Sequence, residues 1–447
     1  MKKTVRILCG WVLFGSAVPP LWADDVFKAD NALPLNAAGS WDGGFVPAAT
    51  NTAVWDARVS AGSTVADIGG PLTWGGVRLE SPGGAVVING ADPLTLDGSE
   101  AVDIDMGAAA QNLTINTPVT LGGSSAVSVN AGRALTLGGA ATVNSLTKSG
   151  EGLLLFGAAA GVGGGSYAAG QTVYAGATTV SGNTRLTGGS VFFRGSTLMS
   201  SGATEALAVY NGSLVLDGGA LTMTNGSSRF FAGRTDATSD GLIIVSNGTH
   251  TVLGTNNNTM ANFIGVSGAR RGRLVMENGR LTLVFLRLAT NHKAPSDDLT
   301  DEIRVRGGVL AVTNAGSTAF MMGTSHMNDG AEASRSALLE ITGGRFEVPN
   351  GSMLVSTDGG STQSQTQNVS LAGGVLAVKK ITVGSKAAAV KMFWFNGGVL
   401  QATNVAAAVL IVTCSCGLGR AVPAVLTAAS GRLFRSGVLL KDGTALE

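Results

Sequence analysis

The chain has 447 residues, 66 of them glycine and only 11 proline, with 13% charged residues and a formal net charge of +1. Without clustered Lys and Arg it carries no electrostatic footprint for nucleic acid. A hydrophobic share of 45% excludes disorder from low hydrophobicity, and 5% aromatics suit thin, regular β layers better than a bulky helical core.

The N-terminus reads MKKTVRILCGWVLFGSAVPPLWADD. Lys2, Lys3 and Arg6 form a basic head. Residues 7–18 are apolar but too short to span a bilayer comfortably. Pro19 and Pro20 break the stretch, and Ala23 offers a small residue before Asp24. Residues 1–23 are therefore expected to be a signal peptide cleaved near Ala23, which predicts a secreted or outer-membrane-surface protein with no membrane span in the mature chain. The mature chain keeps Cys414 and Cys416, too few cysteines to staple a fold.

Residues 24–90 carry Trp41, Trp55 and Trp74 in SWDGGFVP, AVWDA and LTWGGV. Three large rings in an aromatic-poor chain suit an N-terminal cap over the open edge of the first strands. A carbohydrate-stacking platform is the functional alternative. Residues 91–210 hold short alternating runs such as VDIDM, LTINTPVTLGG and ALTLGGAATV, cut by Gly and Asn, with a short rhythm.

Residues 211–404 repeat a phrase of about 30 residues. Its corner is a Gly-Gly or Asn-Gly pair whose second residue falls at Gly219, Gly248, Gly279, Gly308, Gly344, Gly374 and Gly398. A near-fixed period of this size signals a solenoid. Before each corner, one apolar column reads Leu214, Ile243, Leu274, Ile303, Leu339, Val369, Phe393. A second reads Leu216, Val245, Met276, Val305, Ile341, Leu371, Phe395. Residues between the columns vary freely, the mark of half-buried strands. Alternation resumes after the corner, with His250 in a column otherwise apolar. A third short run follows, then a polar loop. A single unit cannot bury its apolar side, but stacked units can. The predicted class is all-β: a right-handed parallel β-helix with about three short strands per coil. An array of β-hairpins is the alternative, because Asn-Gly and Gly-Gly also favour two-residue hairpin turns. Stacking predicts that Glu277 meets Arg306, and Arg304 meets Glu340, on neighbouring strands.

At Leu146 the text LTKSGEGLLLFG, followed by SYAAGQTVYAGATTVSGNTRLTGGS, resembles the autotransporter-associated β-strand repeat, also called the passenger-associated transport repeat. The matching positions are Leu146, Lys148, Gly150, Gly152, Leu153, Leu155, Tyr167, Gly170, Thr179, Val180 and Leu186. The insert AAAGVGGGS before Tyr167 lengthens the usual connection. The resemblance implies a right-handed β-helix passenger, secreted or surface-displayed, with no enzyme activity. It departs from the family's usual plan at residues 405–447, where the columns stop and no C-terminal barrel strands follow. That segment reads as an irregular end, truncated or frame-shifted, or as a C-terminal cap.

Parallel β-helices can host polysaccharide lyases and hydrolases, which need carboxylates gathered in a cleft. Asp103 and Asp105 alternate on one face, and Asp297, Asp298, Asp301 and Glu302 crowd one loop, but neither set has partners on neighbouring coils. His250, His292 and His326 lie in different units without paired metal-ligand spacing, and Cys414 and Cys416 lack a second pair. Asn112, Asn211, Asn225, Asn247 and Asn368 begin Asn-x-Ser/Thr triplets that match the turn alphabet. No catalytic, cofactor-binding or metal residue is assigned, and no cofactor is expected. The function expected is a structural or adhesive surface protein whose partners are cell-surface glycans or other surface proteins, bound through the polar loops. A carbohydrate-active β-helix enzyme or glycan-binding module is the alternative.

Overall fold

The computed structural model describes residues 24–97, 100–201, 206–223, 229–234, 239–253, 262–266, 271–290, 300–315, 318–323, 336–355, 366–384 and 390–402. Their strands pair in parallel throughout, and the isolated Lys28–Trp41 bridge is antiparallel. Each coil contributes three strands. In one coil these are Gly212–Asp217, Leu221–Met223 and Phe230–Arg234; in the next they are Asp240–Asn247, Thr249–Val252 and Asn262–Val266. Like strands stack on like, so three ladders run along the molecule: ladder one before the glycine corner, ladder two after it, and ladder three beyond. Ladder one is a sheet of 14 strands. Ladders two and three merge into one sheet of 25 because a few strands, such as Val119–Val129 and Arg345–Val355, pass through the bend unbroken.

This is a parallel β-helix. A hairpin array would pair the strands flanking each corner with each other, in antiparallel. Here Leu216 and Leu221 belong to different ladders: Leu216 pairs with Phe193 and Val245 in the coils on either side, and Leu221 pairs with Thr197 in the preceding coil.

The register follows the predicted columns. Leu214 pairs with Ile243, Ile243 with Leu274, Leu274 with Ile303, and so on to Phe393. The second column likewise runs unbroken from Leu216 to Phe395 in those ladders. Both are buried up to the coil that ends at Leu371. In the last described coil Phe395 is 51% exposed. The outward charges meet as stacking requires: Arg306 Nη1 donates to Glu277 Oε1 at 2.7 Å, and Arg304 Nη1 to Glu340 Oε2 at 2.8 Å. Each such pair contributes only about 0.2–1 kcal/mol, but it penalises a slip of one residue, which would turn every inward side chain to solvent.

The change of rhythm between residues 91–210 and 211–404 leaves the ladders intact. Ala141 pairs with Ala160 and Ala160 with Thr178, so coils there take 19 and 18 residues; Thr222 pairs with Thr251 and Thr251 with Thr282, so later coils take 29 and 31. Ladder-two strands stay at three or four residues in both regions. The added residues go into the connections, where chain length costs little.

One apolar core fills the interior from Val26 to Val378. At its N-terminal end Trp41, Trp55 and Trp74 are 2%, 1% and 0% exposed and meet at ring-centroid distances of 5.5–6.2 Å. Trp41 Nε1 donates to Leu35 O at 2.7 Å. Rings buried in this way close the end of the core and have no free face for a sugar.

The segment that resembles the autotransporter repeat carries an apolar run of four residues, Leu153–Phe156, in one strand. Leu154 and Phe156 point inward, while Leu153 and Leu155 are half-buried on the outer face. The inward Phe156 stacks on Tyr174, which stacks on Phe193, at 4.6 and 5.3 Å. An aromatic stack replaces the aliphatic column for three coils, and the hydroxyls of Tyr167 and Tyr174 satisfy each other inside it.

Candidate functional site

The carboxylates that a β-helix enzyme would need are engaged in structure. Asp103 is fully buried where the chain enters the ladder-three strand Ile104–Met106, and its Oδ2 accepts from Ala126 N at 2.7 Å. Burial, aided by Asp97 and Glu100, pushes its carboxyl upward. Asp105, its sequence partner, faces outward and accepts from Gly107 N. The two do not converge. Asp301 is buried and accepts from Gly272 N at 2.7 Å. Glu302 sits between Arg271 and Arg304, and Arg304 also reaches Glu340. Asp297 and Asp298 lie outside the described residues. Among the described residues no three His, Cys, Asp or Glu side chains are placed to hold a metal ion.

The Glu302 network makes a testable prediction. Burial raises the Glu302 carboxyl, but hydrogen bonds and charge from Arg304 and Arg271 outweigh it, so the net shift is downward. The stabilisation is therefore complete above the unfolded value of about 4.3 and is lost as pH falls through the lower folded value. In urea titrations, Glu302→Gln is expected to cost roughly 1–3 kcal/mol at neutral pH and to flatten the acid-side loss below about pH 4.3. A variant with the wild-type acid slope would contradict this.

His250 fills its place in the inward column of ladder two. It is buried; Nδ1 accepts from Leu221 N at 3.0 Å, which leaves Nε2–H to donate to Asn247 O at 2.7 Å. Burial holds the imidazole below its ordinary value and neutral. It is a polar brace across the glycine corner, with both ring nitrogens used. His292, His326, Cys414 and Cys416 lie outside the described residues, as do most of the polar loops expected to bind partners. Asn112 Oδ1 accepts from Ala134 N, and Asn247 Oδ1 accepts from Gly248 N, as turn residues do.

The structure adds two outer surfaces that sequence reasoning missed. The first lies on ladder three. Phe231 and Phe263 are neighbours in one outward column and stack at 5.5 Å with planes 5° apart. Arg287, next in that column, places its guanidinium 5.7 Å from the Phe263 ring. With Ala208 and Phe285 these rings form a second apolar cluster outside the main core. Burial, with the charge of Arg229, lowers the Arg287 guanidinium to about 10. The doubled Phe230-Phe231 was the available signal: in a strand one ring must face out.

The second surface is the outer face of ladder two. Thr73, Thr95, Thr120 and Thr142 pair in succession; Gly161 follows, then Thr179, Leu198, Thr222 and Thr251. Two residues earlier in each strand, a parallel outward column passes from Pro93 and Pro118 to Ala140, Ala159 and Ala177. No charged residue occupies either column until Arg280. Over the middle coils this face is hollowed into a shallow groove of about 630 Å³.

No family model matches the chain, and no solved structure matches it. Short matches exist to three curated proteins named nitrogen fixation protein FixI. That of Rhizobium meliloti (strain 1021) is 59% identical over 52 residues, and that of Rhizobium leguminosarum bv. viciae is 56% identical over 54. Each match covers 12% of this chain and 7% of the other protein. The FixI of Bradyrhizobium diazoefficiens is 62% identical over 40 residues, 9% of this chain and 6% of that protein. The chain thus spans only 6–7% of the length of the curated relatives it matches, and neither family nor activity follows from so small a share.

Proposed function

We propose that the chain is a secreted or surface-displayed structural and adhesive β-helix, resembling an autotransporter passenger, that presents binding faces and performs no catalysis. The observation that supports this reading best is the continuity of the ladders, ladder one from Val65 to Phe395 and the merged sheet of ladders two and three from Asp24 to Ala402. Such a stack is a stiff rod with long repeating sides. The carboxylates that a lyase or hydrolase would gather are separated or salt-bridged instead.

The test is expression of the full-length gene in a Gram-negative host, followed by fractionation, protease treatment of intact cells and N-terminal sequencing. A mature chain beginning at Asp24, outside the inner membrane and cleavable from outside the cell, is the expected result. A cytoplasmic chain that retains Met1 would sink the proposal. Assays on polysaccharides, with and without calcium, should yield no cleavage products.

A further inference from the structure

We propose that the threonine-rich outer face of ladder two is a binding lane for an uncharged, extended β-linked polysaccharide. This rests on the surface role proposed above and adds the class of ligand and the face that takes it.

The lane has four properties that point to such a partner. It is long and regular: nine coils from Thr73 to Thr251, one outward residue per coil, at the ordinary strand spacing of about 4.8 Å. That spacing is close to the length of one extended pyranose unit, so successive sugars would meet successive coils in equivalent surroundings. It is uncharged, while ladder one carries Arg271, Arg273, Glu302, Arg304 and Glu340. A polyanion or a polycation would gain nothing from the lane that the other face does not offer more strongly.

Third, the lane combines hydroxyl and methyl groups. Each threonine can donate one hydrogen bond and accept two, while its methyl and the neighbouring alanine or proline carbons offer apolar contact to the flat faces of a sugar. Fourth, it is concave over the middle coils, where Ala140, Ala159 and Ala177 are too small to block close approach.

A protein partner fits less well. The backbone groups of ladder two are already paired within the ladder, so its face cannot recruit an added strand. The lane also lacks the aromatic and arginine anchors on which protein interfaces depend. A polymer bound through many equivalent weak contacts needs no such anchors, because each further sugar adds to a binding event already made.

The test is affinity gel electrophoresis of the full-length mature protein in gels containing hydroxyethylcellulose, a mixed-linkage β-glucan, or pectate as the anionic comparison. Retardation by the neutral glucans, insensitive to salt, is expected. Thr142→Arg, Thr179→Arg and Thr222→Arg combined should weaken it at least tenfold. Arginines at Thr114, Thr136 and Gln171 on ladder one, equal in number, should leave it unchanged. Valine at the same three lane positions keeps the β-branched shape and should weaken binding several-fold, which separates lost hydroxyls from lost folding. No retardation by any neutral glucan, or equal retardation of the wild type and the lane variants, overturns the lane. Those failures leave the secretion experiment untouched, so the lane and the surface role fall separately.

Discussion

Gly308→Ala is expected to lower the unfolding free energy by roughly 2–5 kcal/mol, against about 1–2 kcal/mol for Gly132→Ala. Both glycines have positive φ, 63° and 70°, so both substitutions carry the same left-handed backbone penalty. They differ in what lies beside them. A Cβ on Gly308 would stand 2.3 Å from Gly279 O and 2.6 Å from Asn278 C, in the coil below. A Cβ on Gly132 would have nothing within 4 Å. The obstructing atoms at Gly308 are backbone and cannot rotate away, so the two coils must separate at that corner. Separation strains the ladder-two pairing of Arg280 with Val309 and the charge pair of Glu277 with Arg306. In a stack where each coil contacts only its neighbours, the damage should be local. Hydrogen exchange should therefore show faster opening in coils 271–283 and 303–312 of the variant, with the N-terminal coils unchanged. Equal losses for Gly308→Ala and Gly132→Ala would show that the close approach of coils has no energetic weight.

The same corner explains why so much of the fold was legible in the sequence. Period-two alternation fixes which side chains point inward, and the glycine pair fixes where each strand stops. Together these place Leu214 on Ile243 and Leu216 on Val245 from the sequence alone. Charge then checks the register, as Arg304 and Glu340 do. What escaped was set by the third dimension alone. Leu153 and Leu155 alternate with Leu154 and Phe156 in an apolar run of four, so period two cannot say which pair is inside; the neighbouring Tyr174 and Phe193 decide it by stacking. The outer cluster of Phe231, Phe263 and Phe285 needed a knowledge of which runs share ladder three. The threonine lane was hidden for another reason. Its members are 18 to 29 residues apart in coils of unequal length, so no fixed period connects Thr142 with Thr179 or Thr251. Only the register does.

Lys148→Met is expected to cost roughly 2–4 kcal/mol and to change how stability depends on pH. Lys148 is fully buried at the end of the ladder-three strand of its coil. Its Nζ donates to Ser149 O at 2.8 Å, Gly150 O at 2.7 Å and Ala169 O at 3.2 Å. The first two lie in its own corner and the third in the next coil, so one ammonium binds a left-handed turn, with Gly150 at φ 72°, to the coil stacked on it. Methionine fills the volume but leaves three carbonyls without that donor. Burial lowers the Lys148 ammonium to about 8, outweighing the opposing effect of Glu151, whereas an unfolded lysine titrates near 10.4. Below pH 8 both states hold the proton and the desolvation cost is fully present. Between about 8 and 10.4 the unfolded chain binds more protons than the folded one, so this residue's contribution to stability rises with pH. The gap between wild type and Lys148→Met should thus widen from pH 7 to pH 10, measured as urea midpoints at each pH. A gap that stays constant would mean that the amine feels water as an exposed lysine does, and that the corner is held by its backbone alone. Lys28 gives an internal comparison. It too is fully buried, with Nζ on Ala29 O and Asn31 O, but Asp30 and Asp42 counter the lowering by burial. Lys28→Met should therefore destabilise the N-terminal end while widening the gap less steeply over the same pH range.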